Sequence, residues 1–88
     1  MTRLFAALFA ALLLLLPQAV AAEDFESLYG RALQASQSGD FVGALPLWDQ
    51  VLEQAPNDAA ALSNRGNVRL GLGDPHGAIA DQTLSMEL

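Results

Sequence analysis

Few side chains in this sequence have the chemistry for a reaction. His76 is the only histidine, there is no cysteine and no lysine, and the carboxylates crowd only at Glu23, Asp24 and Glu26. A catalytic or metal site needs a base, nucleophile or ligand set converging on one point. His76 stands two residues after Asp74, on the expected first turn of a helix, where a solvated polar residue is the ordinary occupant. Glu23, Asp24 and Glu26 also suit a solvated first turn, because the positive end of the helix dipole favours carboxylates. Without cysteine or lysine there is no thiolate metal site, disulfide or lysine Schiff base. The sequence contains no phosphate-binding glycine loop, EF-hand loop, H-E-x-x-H or G-x-S-x-G pattern. It therefore predicts no catalytic residue, no metal and no cofactor.

Charge narrows the partners. Ten acidic residues against four arginines give a net charge of −6, which argues against nucleic acid, whose binding depends on cations that neutralise phosphates. Arg31, Arg65 and Arg69 are expected to pair with nearby acids such as Asp40, Asp74 or Asp81. An acidic surface suits basic or neutral partners but selects none of them.

The 88 residues, 52% of them hydrophobic, allow one small domain, and much of the apolar content lies near the start. Arg3 is followed by thirteen uninterrupted apolar residues, Leu4 to Leu16, then Pro17-Gln18 and the small residues Ala19-Val20-Ala21. A basic start, a short apolar run and an A-x-A site make a secretory signal peptide over residues 1–21, with cleavage after Ala21 or one residue later. As a helix the run reaches roughly 20 Å, short of a hydrocarbon core of about 30 Å. Membrane attachment would then come only from an uncleaved signal, and the absence of cysteine excludes a lipoprotein anchor. The expected compartment is beyond the cytoplasmic membrane: periplasmic, secreted, or a thylakoid lumen in a photosynthetic source.

Residues 22–88 contain a repeat. Leu28 and Leu62, Arg31 and Arg65, Gly39 and Gly73, Asp40 and Asp74, Gly43 and Gly77, Ala44 and Ala78, and Glu53 and Glu87 are identical pairs, each 34 residues apart. Helical signals fall in the same register. Phe25, Leu28, Ala32 and Ala35 recur at helical spacing before Gly39, a residue suited to a left-handed helix end. Asp40 then caps a second helix carrying Phe41, Ala44, Leu45, Trp48, Val51 and Leu52. Ala55-Pro56-Asn57-Asp58 stops it and offers a cap for a third helix, Ala59 to about Leu72, ending at Gly73. Asp74-Pro75 starts a fourth. Pro46, which lacks an amide hydrogen, predicts a kink or a late start in the second helix.

A 34-residue helix-turn-helix period resembles the tetratricopeptide repeat family. Leu28, Ala32, Ala44, Trp48 and Pro56 occupy family-like places in a first repeat of about residues 25–58. Leu62, Gly66 and Ala78 do so in an incomplete second repeat, about 59–88, where Gln82 replaces the aromatic. The implied fold is all-α: antiparallel helix-turn-helix repeats forming an α-solenoid behind a signal-peptide helix. Repeat packing falls to Leu28, Ala32, Gly39, Ala44, Trp48, Pro56, Leu62, Gly66, Gly73 and Ala78. The small residues allow close helix crossings, where added bulk would cost on the order of 1–3 kcal/mol.

The resemblance also implies a ligand groove along the outward faces of the first and third helices, with Tyr29, Leu33, Asn64 and Asn67 as candidate peptide contacts. The competing reading of Asn64 and Asn67 is hydrogen bonding between neighbouring helices. A carboxylate clamp of the kind some members use is not expected, because Tyr29 and Leu33 stand at its lysine and asparagine places. Such arrays need about three repeats to cover their apolar faces, so Ile79, Leu84, Met86 and Leu88 are expected to lie uncovered. A fragment of a longer repeat protein, self-association through the last helix, and docking on a partner would each account for this. The break inside a repeat favours the fragment. The expected function is a non-catalytic, exported protein–protein interaction module or scaffold. The alternatives are a self-associating structural module and an accessory region of an exported enzyme.

Overall fold

The computed structural model describes residues 23–88; the expected signal peptide, residues 1–21, lies outside them. Among the described residues there are four α-helices and no strand. They are α1 (Phe25–Gln37), α2 (Phe41–Gln54), α3 (Ala59–Gly71) and α4 (Pro75–Glu87). The class is all-α.

Every helix begins on an aspartate. The side chains of Asp24, Asp40, Asp58 and Asp74 accept from the amides of Ser27, Gly43, Ala61 and Gly77 at 2.7, 3.0, 2.9 and 3.0 Å. Each satisfies a first-turn amide that has no partner within the helix. The turns after α1 and α3 are twins. Gly39 and Gly73 both have φ +79°, a conformation that is costly for residues with a Cβ. The amides of Gly39 and Asp40 return to the carbonyls of Ser36 and Ala35, and those of Gly73 and Asp74 to Leu70 and Arg69. Asp40 and Asp74 therefore close one helix through their backbone and open the next through their side chain, which makes each Gly-Asp pair a two-way hinge point.

Pro46 does not delay α2, which begins at Phe41 and continues to Gln54. The bond that proline forfeits is to the Val42 carbonyl, and both Val42 and Pro46 lie on the exposed side of the helix. Water can satisfy that carbonyl, so the correction to a late start follows from which face carries the proline.

The helices pack in chain order, α1 on α2, α2 on α3 and α3 on α4, with a lighter α1–α3 contact. One core joins the first three. Leu28 and Ala32 from α1, Ala44, Trp48, Val51 and Leu52 from α2, and Ala61, Leu62 and Val68 from α3 are buried together. Trp48 is fully buried, its indole NH donates to Ser36 Oγ at 2.8 Å, and the Ser36 hydroxyl donates onward to the Ala32 carbonyl. Tyr29 meets the indole edge-on, with ring centroids 5.0 Å apart, a geometry aromatic quadrupoles favour. By contrast α4 buries only Ala78 and Asp81.

Candidate functional site

The four expected groove residues separate into different surroundings. Tyr29 and Asn64 come together where α1 meets α3. Burial pushes the Tyr29 phenol above its ordinary value of 10.0, the Asp58 carboxylate pushes it the same way, and a hydrogen bond with Asn64 opposes them. The Asn64 amide also donates to the Ala60 carbonyl of its own helix. Leu33 packs against the core. Asn67 is exposed but turned to α4, where its side-chain oxygen accepts from Gln82 Nε2 at 3.2 Å. Of the ten residues expected to pack the repeats, Leu28, Ala32, Ala44, Trp48, Leu62, Gly66 and Ala78 are buried, whereas Gly39, Pro56 and Gly73 lie exposed in the connections.

Among the described residues, the three arginines are tied into the structure. Arg65 grips Asp81 through Nε and Nη2 at 2.9 and 2.8 Å and reaches Asp49 through Nη1 at 3.0 Å. Arg69 donates to Asp81 at 2.9 Å, and Arg31 pairs with Glu23. Asp81 is only 3% exposed, so α2, α3 and α4 share one ionic knot around it. The Asp81 hydrogen bond, ahead of the opposing effect of burial, raises the Arg65 guanidinium above its ordinary value, with Asp49 adding to the rise. Of the three acids expected to pair with arginine, Asp81 does so, while Asp40 and Asp74 serve as caps. His76 is exposed near the start of α4. Among the described residues, no three histidines, aspartates or glutamates gather closely enough to hold a metal ion, and no helix is long and apolar enough to cross a membrane.

A groove of about 630 Å³ lies between α3 and α4, with the small residues Gly66 and Ala78 among those lining it. Ser63, Asn67 and Gln82 give it a polar side, and Leu70, Ile79 and Met86 an apolar one. Those three are 62%, 63% and 84% exposed, and no lining residue carries a charge. Gln82 is the residue that motif reasoning undervalued. In the sequence it reads as the loss of an aromatic. In the structure its amide donates to the Ser63 carbonyl and Asn67 and accepts from the Ser63 hydroxyl. A Cβ added at Gly66 would lie 2.8 Å from Gln82 Nε2 and 3.2 Å from the Ala78 carbonyl, so the glycine permits this close approach. Set against known protein families, curated proteins and solved structures, the chain matches none of them.

Proposed function

We propose that this chain is an exported, non-catalytic interaction module or scaffold made of tetratricopeptide-like helix pairs. The observation that carries the reading is the neutral α3–α4 groove with Leu70, Ile79 and Met86 exposed beside it. Apolar side chains clustered around a concave face in this way commonly mark a protein-docking surface. The repeat reading draws support from helix starts that recur 34 residues apart, at Phe25 and Ala59 and at Phe41 and Pro75, and from the twin glycine turns. Export rests on the three-part pattern of residues 1–21. The Tyr29–Asn64 region is a secondary contact surface in this reading, and no cofactor takes part.

Two experiments test it. Amino-terminal sequencing of the chain recovered from exporting cells should begin at Ala22 or Glu23, and an intact Met1 would contradict cleavage. A photo-crosslinking benzophenone side chain at position 79 should give protein adducts in those cells, while the same group at Gln50, exposed on α2, should give none. Equal labelling at both positions, or none at either, would contradict docking through the groove.

A further inference from the structure

We propose that the α3–α4 groove is filled by α4 of a second copy of this chain, the two copies being related by a two-fold axis. The inference rests on the reading of that groove as a docking surface and identifies its occupant.

The form of the occupant is set by the molecule itself. Subtracting 34 residues carries the groove onto the face of α1 and α2 that α3 covers. Pro75 corresponds to Phe41, Thr83 to Asp49 and Ser63 to Tyr29. All three counterparts touch α3. A Cβ added at Gly71 of α3 would strike the Phe41 ring at 2.5 Å, Asp49 pairs with Arg65, and Tyr29 packs against the core to which α3 contributes Ala61, Leu62 and Val68. The equivalent face is thus closed by a helix, and a helix is what fits the α3–α4 groove. The chemistry of that helix differs from α3. Thr83 stands where Asp49 receives an arginine, so the incoming helix needs no cation and its contact stripe is neutral.

This chain supplies such a helix. Ile79, Thr83 and Met86 recur at helical spacing along α4 and are all exposed. The other end of the molecule does not qualify. In α1, the counterparts of the buried Ala61 and Val68 of α3 are Ser27 and Gln34, polar and exposed, so a head-to-tail stack would bury polar groups without partners. Charge selects the same face. Two chains of net charge −6 repel on approach, and the repulsion is least where a contact surface has no ionisable side chain. An interface formed by the same surface on both copies is the usual basis of a two-fold dimer.

The absence of cysteine makes the test direct. With antiparallel α4 helices crossing midway between Ile79 and Met86, Thr83→Cys in the full chain should form an inter-chain disulfide under mild oxidation, and Gln50→Cys should not. Sedimentation equilibrium from micromolar to millimolar protein should show a monomer–dimer equilibrium. Ile79→Glu should weaken it about 100-fold or more, since the interface would then hold two desolvated carboxylates. Gln50, Ile79 and Thr83 are exposed, so these variants should retain the far-UV helical spectrum. A chain that stays monomeric throughout, or a dimer unaffected by Ile79→Glu, overturns the proposal; the latter would place association outside the α3–α4 groove. If the chain is monomeric yet position 79 crosslinks to a different protein, the second copy is wrong and the docking surface stands. If neither occurs, both fall.

Discussion

Trp48 shows how much can depend on one polar contact inside an apolar core. Its ring fills the centre of the α1–α2–α3 core, and its only NH is satisfied by Ser36. Ser36→Ala deprives a buried donor of its acceptor and should lower unfolding stability by about 1–3 kcal/mol. A denaturant titration followed by Trp48 fluorescence, reporting the chain's single tryptophan, should show an earlier midpoint at unchanged slope. Tyr29, next to it, gives a pH signature. Its phenol titrates higher when folded than the ordinary 10.0, so above about pH 10 the unfolded chain releases that proton first. Stability present below that pH is therefore lost as pH rises through the folded value. The single tyrosine should show a late ultraviolet phenolate transition, and Tyr29→Phe should flatten the alkaline loss of stability; a phenolate transition at the ordinary value would contradict this. The sequence pattern placed Trp48 in the core because its stripe has helical period. It could not pair the indole with Ser36, which depends on how α1 and α2 are rotated against each other.

Helix limits were readable because their causes are local. An aspartate three residues before a free amide, and a glycine where the chain must turn left-handed, act within a few residues of themselves. Proline was read only in part: Pro46 suggested a kink or a late start, the helix nevertheless begins at Phe41, and the effect of the proline depends on whether the orphaned carbonyl faces water. Contacts between helices were the least readable. Nothing in local pattern says that Asp81, and not Asp74, will gather Arg65 and Arg69, or that Gln82 will bridge Ser63 and Asn67. These contacts hold α4, which buries only two residues, so its attachment is expected to be polar in large part. Asp81→Asn should remove charge balance from two arginines whose side chains are 19% and 26% exposed. The expected loss is about 2 kcal/mol, tempered by that partial exposure. Gly66→Ala should separate α3 from α4 by crowding Gln82 and the Ala78 carbonyl, at a cost of about 1–3 kcal/mol despite alanine's better helix propensity. Amide hydrogen exchange in α4 should accelerate in both variants, with less change in α2; uniform acceleration would contradict an attachment confined to the α3–α4 contact.

The molecule as a whole is asymmetric from end to end. The outer face of α1 is polar, with Glu26, Ser27, Gly30, Arg31 and Gln34 exposed. Among the described residues, Val42 aside, the markedly exposed large apolar residues lie on α3 and α4 or just beyond their ends. Repeat architectures close such faces by stacking, because each unit covers the apolar side of its neighbour. The 34-residue period made an uncovered end foreseeable, but not the shape or neutrality of the groove there. Those arise from a glycine and an alanine where α3 and α4 cross and from uncharged residues spread over both helices. Far-UV circular dichroism melts of the chain and of its Ile79→Glu variant, over a wide protein concentration range, test the α3–α4 face as an incomplete interface most directly. Binding that selects the folded state raises the midpoint with concentration. The native chain should melt cooperatively at a midpoint that climbs with concentration, and the variant at a lower midpoint that stays fixed. Two concentration-independent melts with the same midpoint would show that the helices need no cover on this face.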